Sequence, residues 1–150
     1  MSIDVSAETI IDRPRAEVAA YVVDPANEPS WIGGIVESQQ ITPGPIARGS
    51  RVRRVAKFLG RRIEYAPEVT EFVLDERLSM RTDKPFPMII EYAFSEEVGG
   101  TRVRTRLRGG GSGFFRIAGP LLARAVRRNI EADLRRLRAL LEAPDSPQAR

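Results

Sequence analysis

The last third of the chain shows two apolar periodicities, one after the other. Residues 101–108 read TRVRTRLR, and residues 120–142 read PLLARAVRRNIEADLRRLRALLE. In the first segment Val103, Thr105 and Leu107 alternate with arginines, which predicts a strand with one buried and one solvated face. In the second segment apolar residues recur at spacings of mostly three and four, which predicts an amphipathic helix. At 1.5 Å per residue this helix is about 35 Å long, enough to cross a whole domain.

The apolar stripe of this helix indicates which residues face the rest of the protein. Pro120 is suited to open the main body of the helix, because proline is tolerated in a first turn. The members of the stripe are Ile117, Leu121, Ala125, Ile130, Leu134, Leu137 and Leu141.

The first 32 residues predict one strand and two short helices. Residues 3–11 alternate between apolar and polar side chains, as in a strand with one wet face. Residues 14–23 carry an apolar stripe and predict a helix, which Asp24-Pro25 stops. Residues 27–32 predict a second short helix or turn that carries the only tryptophan, Trp31.

Between these helices and the long helix, short alternating segments are separated by turn residues. This pattern favours an antiparallel meander over a βαβ series. Together with the first strand it predicts a sheet of about seven strands in an α+β protein. The other predicted strands are residues 36–42, 51–58, 61–72, 78–82, 88–94 and 101–107.

Composition excludes several classes of function. The 150 residues hold 24 basic and 20 acidic side chains, a net charge of +4, with no cysteine and no histidine. Disulfides, thiolate nucleophiles and histidine-based catalysis or metal binding are therefore absent. We expect no metal and no cofactor. No apolar run approaches a membrane span and no signal peptide is evident, so we expect a cytoplasmic protein without integral membrane association. Residues 1–143 should form a single domain, and residues 144–150 a flexible C-terminal tail.

The order of these elements resembles the helix-grip fold of the SRPBCC or START-like superfamily, in its polyketide cyclase/dehydrase and lipid transport branch. The resemblance covers about residues 3–142. The residues that carry it are Ile11-Asp12-Arg13-Pro14, Val18, Asp24-Pro25, Pro29, Trp31, Gly44-Pro45, Gly49-Ser50-Arg51, Gly99-Gly100-Thr101-Arg102-Val103 and the closing helix.

The resemblance implies a curved sheet wrapped around the C-terminal helix, with an apolar cavity between them that opens to solvent at one end. Members of the superfamily bind lipids, sterols, plant hormones or aromatic polyketides, and some catalyse cyclisation or dehydration. The resemblance therefore implies a cavity without implying one reaction.

The phase of the strands predicts which side chains point toward this cavity. Most of them are ordinary core residues, so the polar-tipped and adaptable ones are the informative candidates. Each can serve packing alone or ligand contact. The candidate ligand-binding residues are Trp31, Arg54, Tyr65, Met80, Met88, Tyr92, Phe94, Thr105, Phe114 and Leu121.

Arg54 is the sharpest anomaly among the candidates. If the strand phase holds, its guanidinium points inward among apolar side chains, and an unpaired buried charge is too costly to keep. A carboxylate must then face it, either from Glu64, Glu68 or Glu71 on the next strand or from a ligand. The alternative is a slipped register that turns Arg54 outward.

The glycine-rich run at residues 109–113 resembles a phosphate-binding loop only superficially. It lacks the ending of a P-loop and the glycine spacing of a dinucleotide site, and no strand follows its helix. We expect a flexible hinge there, and with Phe114 beside it the hinge is a candidate gate to the cavity.

The arginines on the outer strand face and on the helix have acidic neighbours. We expect a solvated, partly paired surface and no nucleic-acid binding.

These observations favour a protein that binds a small hydrophobic, ring-containing molecule, as a monomer or homodimer. One alternative is a cyclase or dehydratase with Tyr65 or Tyr92 as proton donor, a glutamate as base and Arg54 stabilising an enolate. A second alternative is an interaction module that binds a partner protein through its basic surface.

Overall fold

The computed structural model describes residues 2–58, 60–84, 86–110 and 113–144. The N-terminal half contains β1 (Ser2–Ile11), α1 (Arg15–Val23), a short 3-10 turn (Pro25–Asn27), α2 (Glu28–Trp31), β2 (Ile35–Gln40), β3 (Val52–Phe58) and β4 (Arg61–Tyr65). The C-terminal half contains β5 (Glu68–Val73), β6 (Arg77–Thr82), β7 (Met88–Glu97), β8 (Gly100–Gly110) and α3 (Gly113–Glu142).

The strands form two antiparallel sheets that meet at one corner. Five strands are ordered β1-β8-β7-β6-β5, and three are ordered β2-β3-β4. The corner is held by backbone hydrogen bonds: Gly49 donates to Val69, and Val69 donates back to Ser50, both at 2.8 Å. The helix α3 packs mainly on β1. The predicted α+β architecture, an antiparallel sheet wrapped around a C-terminal helix, is confirmed.

The described residues form eight strands in the two sheets, because the predicted strand at residues 61–72 is two strands. β4 ends at Tyr65 and β5 begins at Glu68. Pro67 lies in the break, where it has no N–H to continue a ladder. Its carbonyl instead accepts a hydrogen bond from Val52 at 3.2 Å, which helps to form the corner between the sheets.

The predicted inward phase of the strands is confirmed wherever the structure describes the side chain. Every such residue is buried or half-buried, although Val55 on the opposite face of β3 is buried as well. The inward residues are Val52, Arg54, Ala56, Ile63, Tyr65, Leu78, Met80, Thr82, Met88, Ile90, Tyr92, Phe94, Thr101, Val103, Thr105 and Leu107.

The long helix differs from the sequence prediction in its start and in part of its stripe. It begins at Gly113, so Pro120 lies inside it. The buried stripe runs through Leu122, Ile130, Leu134, Leu137 and Leu141, while Leu121 is 74% exposed. Adjacent residues of an α-helix lie about 100° apart around its axis, so Leu121 and Leu122 cannot both face the sheet. Residues four apart share a face, and two such steps back from the buried Ile130 reach Leu122. The prediction that Leu121 faces inward is therefore wrong.

Part of the glycine run belongs to the sheet. Gly109 and Gly110 end β8, so they are strand residues and not hinge residues. A β-carbon at Gly109 would lie 3.0 Å from the carbonyl oxygen of Pro87, so this strand end approaches the β6–β7 loop closely. Gly111 and Ser112 lie outside the described residues, as do residues 145–150 of the predicted tail. The hinge and the domain boundaries stay predictions.

Candidate ligand-binding cavity

A cavity of about 180 Å³ lies between the inner face of the sheet and α3. Strands β1, β2, β3, β4, β7 and β8 contribute to its walls together with the helix, the segment after α2 and the loop before β7. Small residues leave the space open on the sheet side. The lining residues are Ile3, Ile32, Gly34, Ile35, Ala56, Lys57, Ile63, Tyr65, Phe86, Met88, Leu107, Gly109, Leu122, Val126, Asn129, Ile130 and Asp133.

The cavity is apolar apart from a few groups, most of them at its rim. Among the residues that the structure describes, only Lys57, Tyr65, Asn129 and Asp133 bring polar or charged side chains to the lining. Lys57 and Asn129 are exposed, and Lys57 occupies the outward phase of β3. An environment of this kind suits an apolar molecule and does not suit a multiply charged one.

Asp133 is engaged by the protein itself. Its Oδ1 accepts hydrogen bonds from the backbone N–H of Gly33 at 2.9 Å and from Arg136 at 3.1 Å. Burial raises the pKa of the Asp133 carboxyl, and the two donors oppose that effect. The same Arg136 also donates to the carbonyl of Trp31 at 2.8 Å. Asp133 therefore joins α3 to the segment after α2.

Tyr65 is the phenol of the cavity wall. It is half-buried at the end of β4, directly opposite Arg54 of β3 in the strand register. Its phenol lies close enough to Arg54 and Tyr92 to interact with both electrostatically. Within the described ranges, no hydrogen-bond partner is found for its hydroxyl. Tyr65 thus brings a phenol to the lining of a largely apolar space.

Arg54, the cross-strand neighbour of Tyr65, points inward and forms a buried ion pair. Arg54 is 2% exposed and Glu28 of α2 is 4% exposed. The Nε of Arg54 donates to Glu28 Oε1 at 2.9 Å, and a second nitrogen contacts Glu28 Oε2. Ser38 also donates to Glu28, and the Tyr92 hydroxyl lies 3.4 Å from Arg54. Every strong polar group in this cluster has a partner.

The inward orientation of Arg54 is confirmed, but the expected partners were wrong. Glu64 of the next strand pairs with the outward-facing Arg53 at 2.7 Å instead. The carboxylate comes from Glu28, which the short helix α2 carries under β3. The strand alternation had favoured an acid of the neighbouring strand or of a ligand. The available signal was that Glu28 lies one helical turn before the apolar Trp31, on the same side of α2.

Burial and the ion pair act on the ionisable groups in this cluster. Burial alone lowers the pKa of the Arg54 guanidinium, but the facing Glu28 carboxylate outweighs it and raises the pKa well above the usual value. Burial raises the pKa of Tyr92 to about 12, against the opposing effect of Arg54. Arg54 stays charged and Tyr92 stays protonated near neutral pH.

The structure brings only part of the predicted site set to the cavity. Tyr65 and Met88 line it. Six candidates are buried in the core without lining it, namely Trp31, Arg54, Met80, Tyr92, Phe94 and Thr105. Leu121 is replaced by its neighbour Leu122, and the side chain of Phe114 lies outside the described residues. The role of each in binding stays a prediction.

Two of the buried candidates keep a polar atom without a partner. Trp31 packs edge-on against Tyr92, with ring centroids 5.8 Å apart. In the described part of the chain, neither its indole N–H nor the Thr105 hydroxyl finds a hydrogen-bond partner.

The helix contributes lining residues that the sequence prediction missed. Leu122 and Val126 precede Ile130 of the predicted stripe on the inward face of α3, and Asn129 and Asp133 flank them. A correct helix stripe would have identified these positions. Phe86 lies in the loop before β7, where alternation gives no signal.

The outer strand face confirms the expected pairing of arginines with acids. Arg102 contacts Glu8 and Glu97, each at 2.6 Å. Arg106 contacts Asp4 at 2.7 Å, and Arg108 pairs with Glu91. In the ranges given above, no helix is long and apolar enough to cross a membrane, and no three Asp or Glu side chains gather to hold a metal ion.

These features define an α+β helix-grip protein with a small apolar cavity. Residues 2–142 match the family of polyketide cyclase / dehydrase and lipid transport proteins, and the chain belongs to that family.

Similar solved structures support the fold. TTHA0849 from Thermus thermophilus superposes with a TM-score of 0.79 at 20% identity, covering 95% of this chain and 99% of that one. A START superfamily protein from Mycobacterium smegmatis gives a TM-score of 0.77 at 13% identity, with 91% and 94% covered. The di-domain ARO/CYC protein BexL from the BE-7585A biosynthetic pathway gives a TM-score of 0.77 at 15% identity, with 95% of this chain and 50% of that one covered. A comparison with curated proteins finds no match.

Proposed function

We propose that this protein binds a small hydrophobic, ring-containing molecule in the cavity between the sheet and α3. The observation that carries the proposal is the 180 Å³ space with almost entirely apolar walls. An apolar cavity excludes well-bound water, because water there finds too few polar partners. An apolar guest gains the contacts that the walls otherwise lack. A cytoplasmic location and a monomeric or homodimeric state belong to the same proposal.

Binding is favoured over cyclase or dehydratase chemistry by the position of the polar groups. Of the two tyrosines that are candidate proton donors, Tyr65 lines the cavity and Tyr92 does not. Arg54 and Tyr92 lie behind it, with Arg54 held by Glu28. Asp133 already accepts two hydrogen bonds. A general base must reach the proton that it removes, whereas Glu28 is held in the buried pair and Asp133 is tied to Gly33 and Arg136 through Oδ1.

The interaction-module alternative receives less support from the charged surface. The strand arginines that it would use are paired with acids of the same chain, so fewer free cations remain for a partner.

Amide NMR with ethylbenzene as the probe tests the binding proposal. We expect saturable shifts concentrated around Ala56, Ile63 and Val126, which line the cavity. The larger side chain of Ala56→Phe should fill the space and abolish these shifts. If Ala56→Phe folds poorly, Val126→Phe can be used instead, because it should fill the cavity with a phenyl ring carried by α3.

Leu121→Ala is the matched control, since Leu121 is on the same helix and outside the lining. It should bind ethylbenzene like the unaltered protein. Absence of saturable shifts, or shifts that persist unchanged in both filled variants, contradicts the proposal.

A further inference from the structure

We propose that the ligand is a neutral molecule of about one ring that carries one hydroxyl or carbonyl oxygen, and that Tyr65 recognises this oxygen. This inference rests on the proposed function and adds the size, charge and polar anchor of the ligand.

The size limit follows from the volume of the cavity. An engineered apolar cavity of about 150 Å³ binds benzene, whereas pockets for drug-sized ligands hold about 300–1,000 Å³. At about 180 Å³, this cavity accommodates one ring with a short substituent. Three fused rings or a long acyl chain exceed it.

The neutral charge follows from the partners of the ionisable groups. The guanidinium of Arg54 is the nearest cation behind the wall, and Glu28 holds it in a buried pair. Lys57 stands on the outward phase of β3, toward solvent. An anionic group in the interior of the cavity would lose its hydration, and Lys57, the lining cation among the described residues, is exposed at the rim.

The polar anchor follows from Tyr65, the half-buried phenol that lines the cavity among the described residues. Asp133 Oδ1 accepts hydrogen bonds from Gly33 and Arg136, and Asn129 is exposed at the rim. The Tyr65 hydroxyl has no protein partner in the described ranges, so its bonding capacity is open to a ligand. A phenol can both donate and accept, so it matches a ligand hydroxyl or carbonyl. A ligand without an oxygen leaves this hydroxyl unpaired once water is displaced.

The ion pair behind Tyr65 fixes the position of this anchor. Arg54 and Tyr65 are cross-strand neighbours, and the buried contact to Glu28 ties β3 to α2. The strand opposite Tyr65 is thereby held in place. Arg54 and Glu28 act here as positioning residues that do not touch the ligand.

Calorimetric titration with four probes tests these claims. The probes are ethylbenzene, 4-ethylphenol, 4-ethylbenzoate and 2-hydroxyanthracene. We expect 4-ethylphenol to bind about two- to tenfold more tightly than ethylbenzene, the range that one net hydrogen bond provides. The preference should disappear in Tyr65→Phe. It should persist in Tyr21→Phe, the matched control, because Tyr21 lies on α1 outside the cavity.

Each other outcome has a defined meaning. If no probe binds, the proposed function fails. If ethylbenzene binds equally well, or the preference survives in Tyr65→Phe, the role of Tyr65 is overturned while the cavity stands. Tighter binding of 4-ethylbenzoate than of 4-ethylphenol overturns the neutral charge, and tighter binding of 2-hydroxyanthracene overturns the size limit.

Discussion

Replacing Glu28 by glutamine tests the buried ion pair beneath the cavity. The substitution keeps the shape of the side chain and removes the negative charge that faces Arg54. The side chains of Arg54 and Glu28 are 3% and 5% exposed, so solvent cannot take over the lost interaction. The guanidinium of Arg54 then stays buried without a counter-charge. Removing one partner in this way destabilises a protein much more than removing both charges.

The expected loss of stability is large for a single substitution. Removing one partner of a buried pair costs about 3–5 kcal/mol. For a chain of this length each kcal/mol lowers the melting temperature by about 2–4 °C, which predicts a fall of about 6–20 °C. Urea unfolding followed by the fluorescence of Trp31, the only tryptophan, measures the free energy of unfolding directly. Trp31 is 1% exposed and packs on Tyr92, so its emission reports on this part of the core.

Two comparisons make the result specific. Glu64→Gln removes one of two acidic partners of Arg53. Glu64 is exposed, so this substitution should change stability little, because such pairs are screened by solvent. The double variant Glu28→Leu with Arg54→Met removes both charges and should recover most of the stability that Glu28→Gln loses. A loss below about 1 kcal/mol in Glu28→Gln refutes the buried pair, since an exposed pair contributes no more than that.

Three further results are expected. Leu122→Ala should lower the free energy of unfolding by about 2–5 kcal/mol, whereas Leu121→Ala should change it by less than about 0.5 kcal/mol; equal effects in urea unfolding would contradict the helix register. The pKa of Tyr92 is raised to about 12, above its ordinary value of 10, so the unfolded chain deprotonates first and stability should fall as the pH rises from about 10 to about 12. An absorbance titration should show one of the three tyrosines ionising last, and Tyr92→Phe should remove that step.

Local alternation predicted most of the sheet correctly. In β7 and β8 the inward residues Tyr92, Phe94, Val103 and Thr105 follow directly from a period of two. This period is a property of the strand alone and does not depend on its neighbours. The break at Pro67 was missed because residues 61–72 keep their alternation on both sides of it.

The register of the long helix depended on packing that the sequence does not display. Leu121 and Leu122 are adjacent and equally apolar, so either one continues a stripe toward the helix start. The choice of Leu122 is set by contact with the sheet, where it reaches the cavity wall.

The sequence pattern around Arg54 could not identify its partner either, because that partner is also set by tertiary packing. The sequence showed that an inward guanidinium needs a carboxylate, and that requirement is met. Glu28 lies 26 residues away on an element of four residues, whose position under β3 follows from tertiary packing. The cavity also depends on tertiary packing. Periodicity shows which side chains face inward, but it does not show whether these side chains fill the space between the sheet and α3.

A crystal structure determined under xenon pressure tests the central claim most directly. Xenon occupies dry apolar cavities and needs no polar anchor. The account predicts xenon density between Ala56, Ile63 and Val126, in the space between the sheet and α3. It also predicts that this density is lost in Ala56→Phe. A space filled by the protein's own side chains, or by hydrogen-bonded water in place of xenon, would contradict it.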